Sequence, residues 1–242
     1  MKKLFVANWK MKPETLKEAL ALTKVSDRKG VVIAPPSLFA LSVASSLSHA
    51  TLAAQDVFEE NPARGGAFTG AVSASMVRRA GARYVIVGHS ERRAFAHETD
   101  AEIAEKIRVV QKEGMKPILC IGEKLSIRRK GVRAVEKHLL AALKKDAHAS
   151  SKNELIVAYE PLWAIGTGVH AAPSDAAAMS RFIKGAMKAM FGMKKTVVLY
   201  GGSVDSTNIG AFAEERDIDG FLVGGASTRP EECKKMLSIL SL

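Results

Sequence analysis

The sequence predicts an α/β fold, a (β/α)8 barrel in which eight parallel strands are each followed by helix. Three observations carry this. Short runs rich in Val, Ile and Leu recur at roughly the thirty-residue spacing of a strand–helix unit. Segments of helical period lie between them. Strands this short and apolar need cover on both faces, which crossover helices supply outside and closure supplies inside. An open doubly wound sheet is the rival architecture, but regular repetition without an obvious change in connection length favours the barrel.

Taken in order, residues 4–7 read as the first strand and 14–25 as a helix ended near Gly30. Residues 31–34 form the next strand, and Ser37 can cap the helix behind it. A weaker third strand at 51–54 leads into a long loop, 56–70, and a short helix at about 73–80. Strands at 84–87 and 117–121 flank a helix over 100–113 that stops at Gly114. One amphipathic segment, 128–145, precedes the sixth strand at 155–159. Pro173 opens a helix that runs to Phe191 and stops at Gly192. Residues 196–200 and 220–223 are the last two strands, and Pro230 begins the final helix. No linker interrupts this series, so residues 1–242 are expected to form one domain.

The apolar content of 47% is enough for a sizeable core. No apolar run approaches bilayer length, so no membrane partner is expected. Cys120 and Cys233 are far apart and form no disulfide pattern, and Asn8-Trp9-Lys10 breaks the only signal-like start. A reducing cytoplasm is the expected location. The net charge of +11 calls for an anionic partner. Basic residues are scattered in pairs, with one denser cluster at Arg128-Arg129-Lys130, and no aromatic-rich basic strand suits nucleic acid. A small anionic substrate fits the charge, and a nucleic-acid-binding barrel is the alternative it leaves. His49, His97, His138, His148 and His170 show no metal-ligand spacing, and no nucleotide fingerprint follows a strand. Neither metal nor cofactor is expected.

In such a barrel, function belongs at the C-terminal ends of the strands. The sixth strand ends in Glu160, a carboxylate against an apolar wall, and Pro161 stops it. Behind it, Leu162, Trp163, Ala164 and Ile165 form an apolar tip, followed by Gly166, Thr167 and Gly168. Rigid apolar surface between a proline and glycines suits a loop that opens and shuts over a site. The first strand delivers Asn8, an amide donor for an oxygen gaining charge, and Lys10, a point charge for an anion. The fourth delivers Gly88-His89-Ser90-Glu91-Arg92-Arg93, where Ser90 can cap a short helix. A helix N-terminus disfavours imidazolium, so His89 would stay neutral and donate one N–H to a carbonyl oxygen. Glu91 and the two arginines read as a supporting ion-pair shell. Gly201-Gly202-Ser203 and Gly224-Gly225 follow the last two strands and can cradle a phosphate with backbone N–H groups.

Together these stretches resemble the triosephosphate isomerase family. The motifs are Ala7-Asn-Trp-Lys-Met11, Gly88-His-Ser-Glu-Arg-Arg93, Ala158-Tyr-Glu-Pro-Leu-Trp-Ala-Ile-Gly-Thr-Gly168, Tyr200-Gly-Gly-Ser-Val204 and Leu222-Val-Gly-Gly-Ala-Ser227. They fall in order at five strand ends, and the resemblance spans the chain. It implies a TIM barrel that interconverts dihydroxyacetone phosphate and D-glyceraldehyde 3-phosphate, in glycolysis and gluconeogenesis, without a cofactor. It further implies Glu160 as the base, His89 as the group polarising the carbonyl, and Lys10 and Asn8 as stabilisers of negative charge. Gly166, Ser203, Gly224 and Gly225 would hold the phosphate. This family is itself the usual illustration of a Glu base beside a neutral His under a closing loop, so those effects are implied rather than derived.

Gln55 and the segment Gly66-Ala-Phe68-Thr69-Gly70 resemble the loop the family inserts into a second subunit, which implies a homodimer. Ala71 stands where the family usually has Glu, the 58–65 stretch is longer than usual, and Lys12 replaces an Asn. Cys120 matches a family position, and its expected role is packing.

Overall fold

The computed structural model describes residues 3–62, 65–150, 154–164 and 170–242. The first half of the chain runs β1 (Leu4–Asn8), α1 (Leu16–Ser26), β2 (Val31–Ala34), α2 (Ala40–Ser46), β3 (Thr51–Ala54), α3 (Ala74–Arg79), β4 (Tyr84–Val87) and α4 (Ser90–Phe95). It continues with α5 (Asp100–Lys112), β5 (Lys116–Ile121), α6 (Leu125–Arg128), α7 (Val132–Asp146), β6 (Glu154–Tyr159), α8 (Pro173–Phe191), β7 (Lys195–Tyr200), α9 (Ile209–Glu214), β8 (Gly220–Val223) and α10 (Pro230–Ile239). The strands pair in parallel, in sequence order, and close into a barrel. No described helix is long and apolar enough to cross a membrane.

The closing seam pairs Leu4 with Gly220 and Ala7 with Val223. A Cβ at Gly220 would stand 2.1 Å from the Leu4 carbonyl oxygen, so the seam shuts only over a glycine. Alternation along each strand divides the core in two. Val6, Val32, Ile86, Ile118, Ile156, Leu199 and Leu222 fill the barrel interior, with Cys120 among them. Their neighbours, such as Phe5, Ile33, Val85, Leu119 and Val157, face out and pack under the helices.

Helix ends follow local chemistry. Thr15 with Glu18 and Thr99 with Glu102 form capping boxes at the starts of α1 and α5. Gly192 stops α8 in the left-handed conformation, at φ 65°. Two expectations are corrected here. Ser37 caps nothing; it begins a 3-10 turn whose N-cap is Pro36, and α2 starts only at Ala40. The single helix expected over 128–145 is two, because Gly131 adopts φ 92° between α6 and α7.

One buried charge links the helical layer to the strands. Asp146, the last residue of α7, is fully buried, with Oδ2 2.6 Å from Arg93 Nη2. Its Oδ1 has no hydrogen-bond partner. Burial pushes its carboxyl up to about 6 from an ordinary 3.8, against the pull of Arg93. The folded state therefore holds an extra proton between those two values, and stability falls as pH rises through that window. Urea unfolding at pH 4 and at pH 7 should show a loss of up to about 3 kcal/mol from this group. Asp146→Asn should remove that part of the pH dependence; an unchanged dependence would contradict the assignment.

Candidate active site

The mouth of the barrel brings together side chains from β1, β4, β6 and the turns after β7 and β8. They line a cavity of about 580 Å³ that includes Asn8, Lys10, His89, Glu160, Ser203, Gly224 and Gly225. The remaining predicted phosphate residue, Gly166, and its neighbours Ile165, Thr167 and Gly168 lie outside the described residues.

Glu160 follows β6 and is 3% exposed. Its backbone N–H donates to Ile121 O at 2.7 Å, extending the pairing of β6 with β5. Glycines on both neighbouring strands make room for it. A Cβ at Gly122 would stand 1.6 Å from Glu160 O, and one at Gly201 would stand 2.8 Å from Glu160 Cγ. His89 comes from β4 across the intervening β5, and its Nε2 lies 3.3 Å from Glu160 Oε1.

Gly88, at φ 68°, turns the chain so that His89 becomes the N-cap of α4. That position had been expected for Ser90, which instead is the first helical residue. The His89 Nδ1 accepts the Glu91 backbone N–H at 3.2 Å. An accepting Nδ1 leaves the ring proton on Nε2, the nitrogen that faces Glu160. Glu91 Oε2 also lies 3.7 Å from Nδ1, but the backbone N–H already occupies that nitrogen's lone pair.

Lys10 sits at φ 55°, a conformation uncommon for a residue with a side chain. Two bonds hold it there. Its N–H donates to Asn8 Oδ1 at 3.1 Å, and its carbonyl accepts from Gln55 Nε2 at 2.8 Å. Gln55 also donates to Ala34 O at 2.9 Å, so this residue, grouped in the sequence with a subunit-contact loop, braces the site within its own chain. Because Asn8 Oδ1 is an acceptor for Lys10, the Asn8 amide nitrogen is its donor toward the cavity. Lys10 Nζ meets Glu91 Oε1 at 2.5 Å and lies under Gly224, where a Cβ would come within 3.1 Å of Lys10 Cε.

Behind α4, Lys106 is 3% exposed and pairs with Asp56, at 2.9 Å, and with Glu98. Arg92 Nε reaches the same two carboxylates at 2.9 Å and 3.3 Å. Burial raises the Asp56 carboxyl, opposed by Lys106. Of the three residues expected to form one ion-pair shell, only Arg92 joins this network, which centres on Lys106; Glu91 pairs with Lys10, and Arg93 with Asp100 and Asp146.

The foot of the 161–168 segment is fixed by hydrogen bonds. Glu123, fully buried, accepts from Trp163 Nε1 at 2.9 Å and from the Tyr159 hydroxyl at 3.1 Å. Burial, and then the Glu123 charge, hold the Tyr159 hydroxyl well above its usual value. Ala164 O accepts both the Ser203 N–H, at 2.9 Å, and the Ser203 hydroxyl, at 2.6 Å. Ser203 therefore lines the cavity with its backbone N–H turned to Ala164. On the far side, the Ala171 N–H donates to the Tyr200 hydroxyl at 3.1 Å.

Gly224 caps a 3-10 turn over Gly225–Thr228, whose first amides have no intrahelical acceptor, and Gly224, Gly225 and Ala226 line the cavity. Arg229 lines the same end. It follows the Gly224-Gly225 turn closely, and that proximity was the only signal in the sequence that could have found it. Asp205, close behind the Gly201-Gly202-Ser203 turn, and His170 also line the cavity. The Cys120 thiol is raised well above its usual range by burial and then by the Glu160 charge, so it is a packed neutral group. Phe68, Thr69 and Gly70 do not line the cavity; Phe68 packs on Phe58 with ring centroids 4.8 Å apart.

A sequence model of the family described as triosephosphate isomerase matches residues 3–240. The chain belongs to the triosephosphate isomerase family. It is 40% identical over 235 residues to the triosephosphate isomerase of Coprinopsis cinerea, covering 93% of this chain and 92% of that protein. It is 40% identical over 247 residues to that of Syntrophotalea carbinolica, covering 96% of each. With the triosephosphate isomerase of Bifidobacterium longum the identity is 45% over 177 residues, covering 71% of this chain and 66% of that protein.

The glycines around Glu160 give a test of the geometry. Gly122→Ala forces a Cβ into a backbone oxygen and should cost about 1–3 kcal/mol in urea unfolding. Gly225→Ala meets nothing within 4 Å and should stay within about 0.5 kcal/mol of the parent. Equal stabilities would contradict the packing described.

Proposed function

We propose that this member of the triosephosphate isomerase family interconverts dihydroxyacetone phosphate and D-glyceraldehyde 3-phosphate through an enediolate, without a cofactor. The observation that carries the proposal is the buried Glu160 carboxylate 3.3 Å from a His89 Nε2 that bears the ring proton. A substrate entering the cavity would part this pair and take its place between them.

Glu160 removes a proton from the carbon beside the carbonyl, and electrons move onto the carbonyl oxygen. The His89 Nε2–H hydrogen-bonds that oxygen and passes its proton to it as the charge develops, and the vacated Nε2 then takes the proton of the neighbouring hydroxyl, which restores the neutral ring. Glu160 then returns its proton to the adjacent carbon. One proton has moved between adjacent carbons and one between their oxygens, and nothing is consumed. Lys10, beside Glu91, and the Asn8 amide offset the negative charge of the enediolate. The glycine turn at Gly224 and Gly225 lines the cavity and suits the phosphate, with Gly166 as a further donor implied by the family. Ser203 joins them if its N–H leaves Ala164 O. Pro161–Gly168 would shut out water, which protects an intermediate able to expel phosphate.

A coupled assay of purified parent, Glu160→Asp and His89→Gln tests this. Drawing the carboxylate back by about 1 Å should lower kcat roughly 100-fold or more. Losing the ring donor should lower it at least about 100-fold. Rates equal to the parent would remove both residues from the mechanism.

We further propose that the chain functions as a homodimer. Among the described residues, the five most exposed large apolar side chains are Met11 at 90%, Leu38, Phe95, Leu41 and Met76. All follow β1 to β4, which are neighbours in the barrel, and the Phe68 segment lies between β3 and β4 in the same half. So much apolar surface on one side suits a second copy of the chain. Light scattering at micromolar concentration should give twice the chain mass for the parent and the chain mass for Phe95→Glu. A parent at single chain mass would refute the dimer.

A further inference from the structure

Arg93 lies beside the cavity without being among the residues that line it. Its guanidinium touches four parts of the fold. Nε donates to Gly88 O at 2.9 Å, Nη1 to Asp100 Oδ1 at 2.9 Å, and Nη2 to Asp146 Oδ2 at 2.6 Å and to Cys120 O at 3.4 Å. These partners come from the end of β4, the start of α5, the end of α7 and the interior of β5.

The first contact connects this hub to the chemistry. The carbonyl of Gly88 and the N–H of His89 belong to one peptide unit, which is planar and tilts as a whole. Gly88 has no side chain to hold that unit, and its φ of 68° is one that other residues avoid. A Cβ there would stand 2.9 Å from Arg93 Nη2, so the guanidinium fills the place a side chain would take. The tilt of the Gly88–His89 peptide is thus fixed on its carbonyl side by Arg93. That tilt in turn aims the imidazole.

The guanidinium itself needs an anchor. Asp100 is 40% exposed and is shared with Lys145 Nζ at 3.0 Å, so it holds Arg93 loosely. Asp146 is fully buried and accepts from Arg93 Nη2 at 2.6 Å. A planar fork can serve Gly88 O, Asp100 and Asp146 at once, whereas a lysine ammonium cannot. We propose that Arg93, anchored by Asp146, is the residue that positions His89 for proton transfer.

The inference rests on His89 acting in the isomerisation, and its test keeps the two apart. Parent, Arg93→Lys, Asp146→Asn and His89→Gln would be compared for kcat and KM, and for the His89 ring 15N signals, assigned by their loss in His89→Gln. A displacement of about 1 Å at a reacting group costs roughly 100-fold in rate, so Arg93→Lys should lower kcat by about 10- to 100-fold with KM within about 2-fold. Asp146→Asn, nearly isosteric, should do the same to a smaller degree. In both, the ring signals should move. Should Arg93→Lys lose its fold, Asp146→Asn and an Arg93→Ala protein supplied with guanidinium ions carry the test, the latter regaining kcat where the parent gains none. Parent-like kcat and ring signals in folded Arg93→Lys and Asp146→Asn would overturn the proposal. A parent-like kcat in His89→Gln would overturn the reading beneath it instead.

Discussion

The site depends on one constraint: two buried polar side chains from strands that are not neighbours must meet within 3.3 Å. Glu160 and His89 stand at the ends of β6 and β4, with β5 between them. Flat adjacent strands would keep such residues apart by two strand spacings. Curvature of the closed barrel turns both inward over the shared interior, where Cys120 on β5 packs beneath them. The remaining space comes from what is missing. Gly122 and Gly201, on either side of Glu160, leave out the atoms that would otherwise occupy its place.

Burial of these groups requires polar structure outside the cavity itself. Lys106 and Arg92 together balance Asp56 and Glu98 behind α4, and Arg93 pairs with Asp146. Such pairs add little net stability, since desolvation offsets most of their attraction. Their value lies in direction, because a buried pair with its hydrogen bonds made has few alternative geometries. The short helix α4 has no buried residue of its own, so it relies on these charges for its placement. The basic excess of +11 over the whole chain is a different matter, a long-range field suited to drawing in an anion.

Much of this was legible in the sequence. Four strands fall on the expected residues, because a buried parallel strand has no other way to be written than as a short β-branched run. Pro173 and Gly192 mark both ends of the longest helix. The cavity residues were legible from their position after strands. What escaped was long-range or conformational. Nothing local to Gln55 announces that it braces Lys10, and nothing near Asp146 announces Arg93, since the partners lie many residues away. Gly131 was visible, but its positive φ, which divides one amphipathic stretch into two helices, is decided by packing.

The seam at Gly220 has a bearing on how the molecule comes into being. β1 borders β2 early in synthesis, but its other edge has no partner until β8 arrives. For most of the ribosome's transit along the message, a nascent barrel therefore exposes an open row of amides and carbonyls. Such an edge invites pairing with another chain. Docking of the last strand, late and nonlocal, is what removes the hazard, and a glycine that lets two backbones nearly touch allows the edge to disappear.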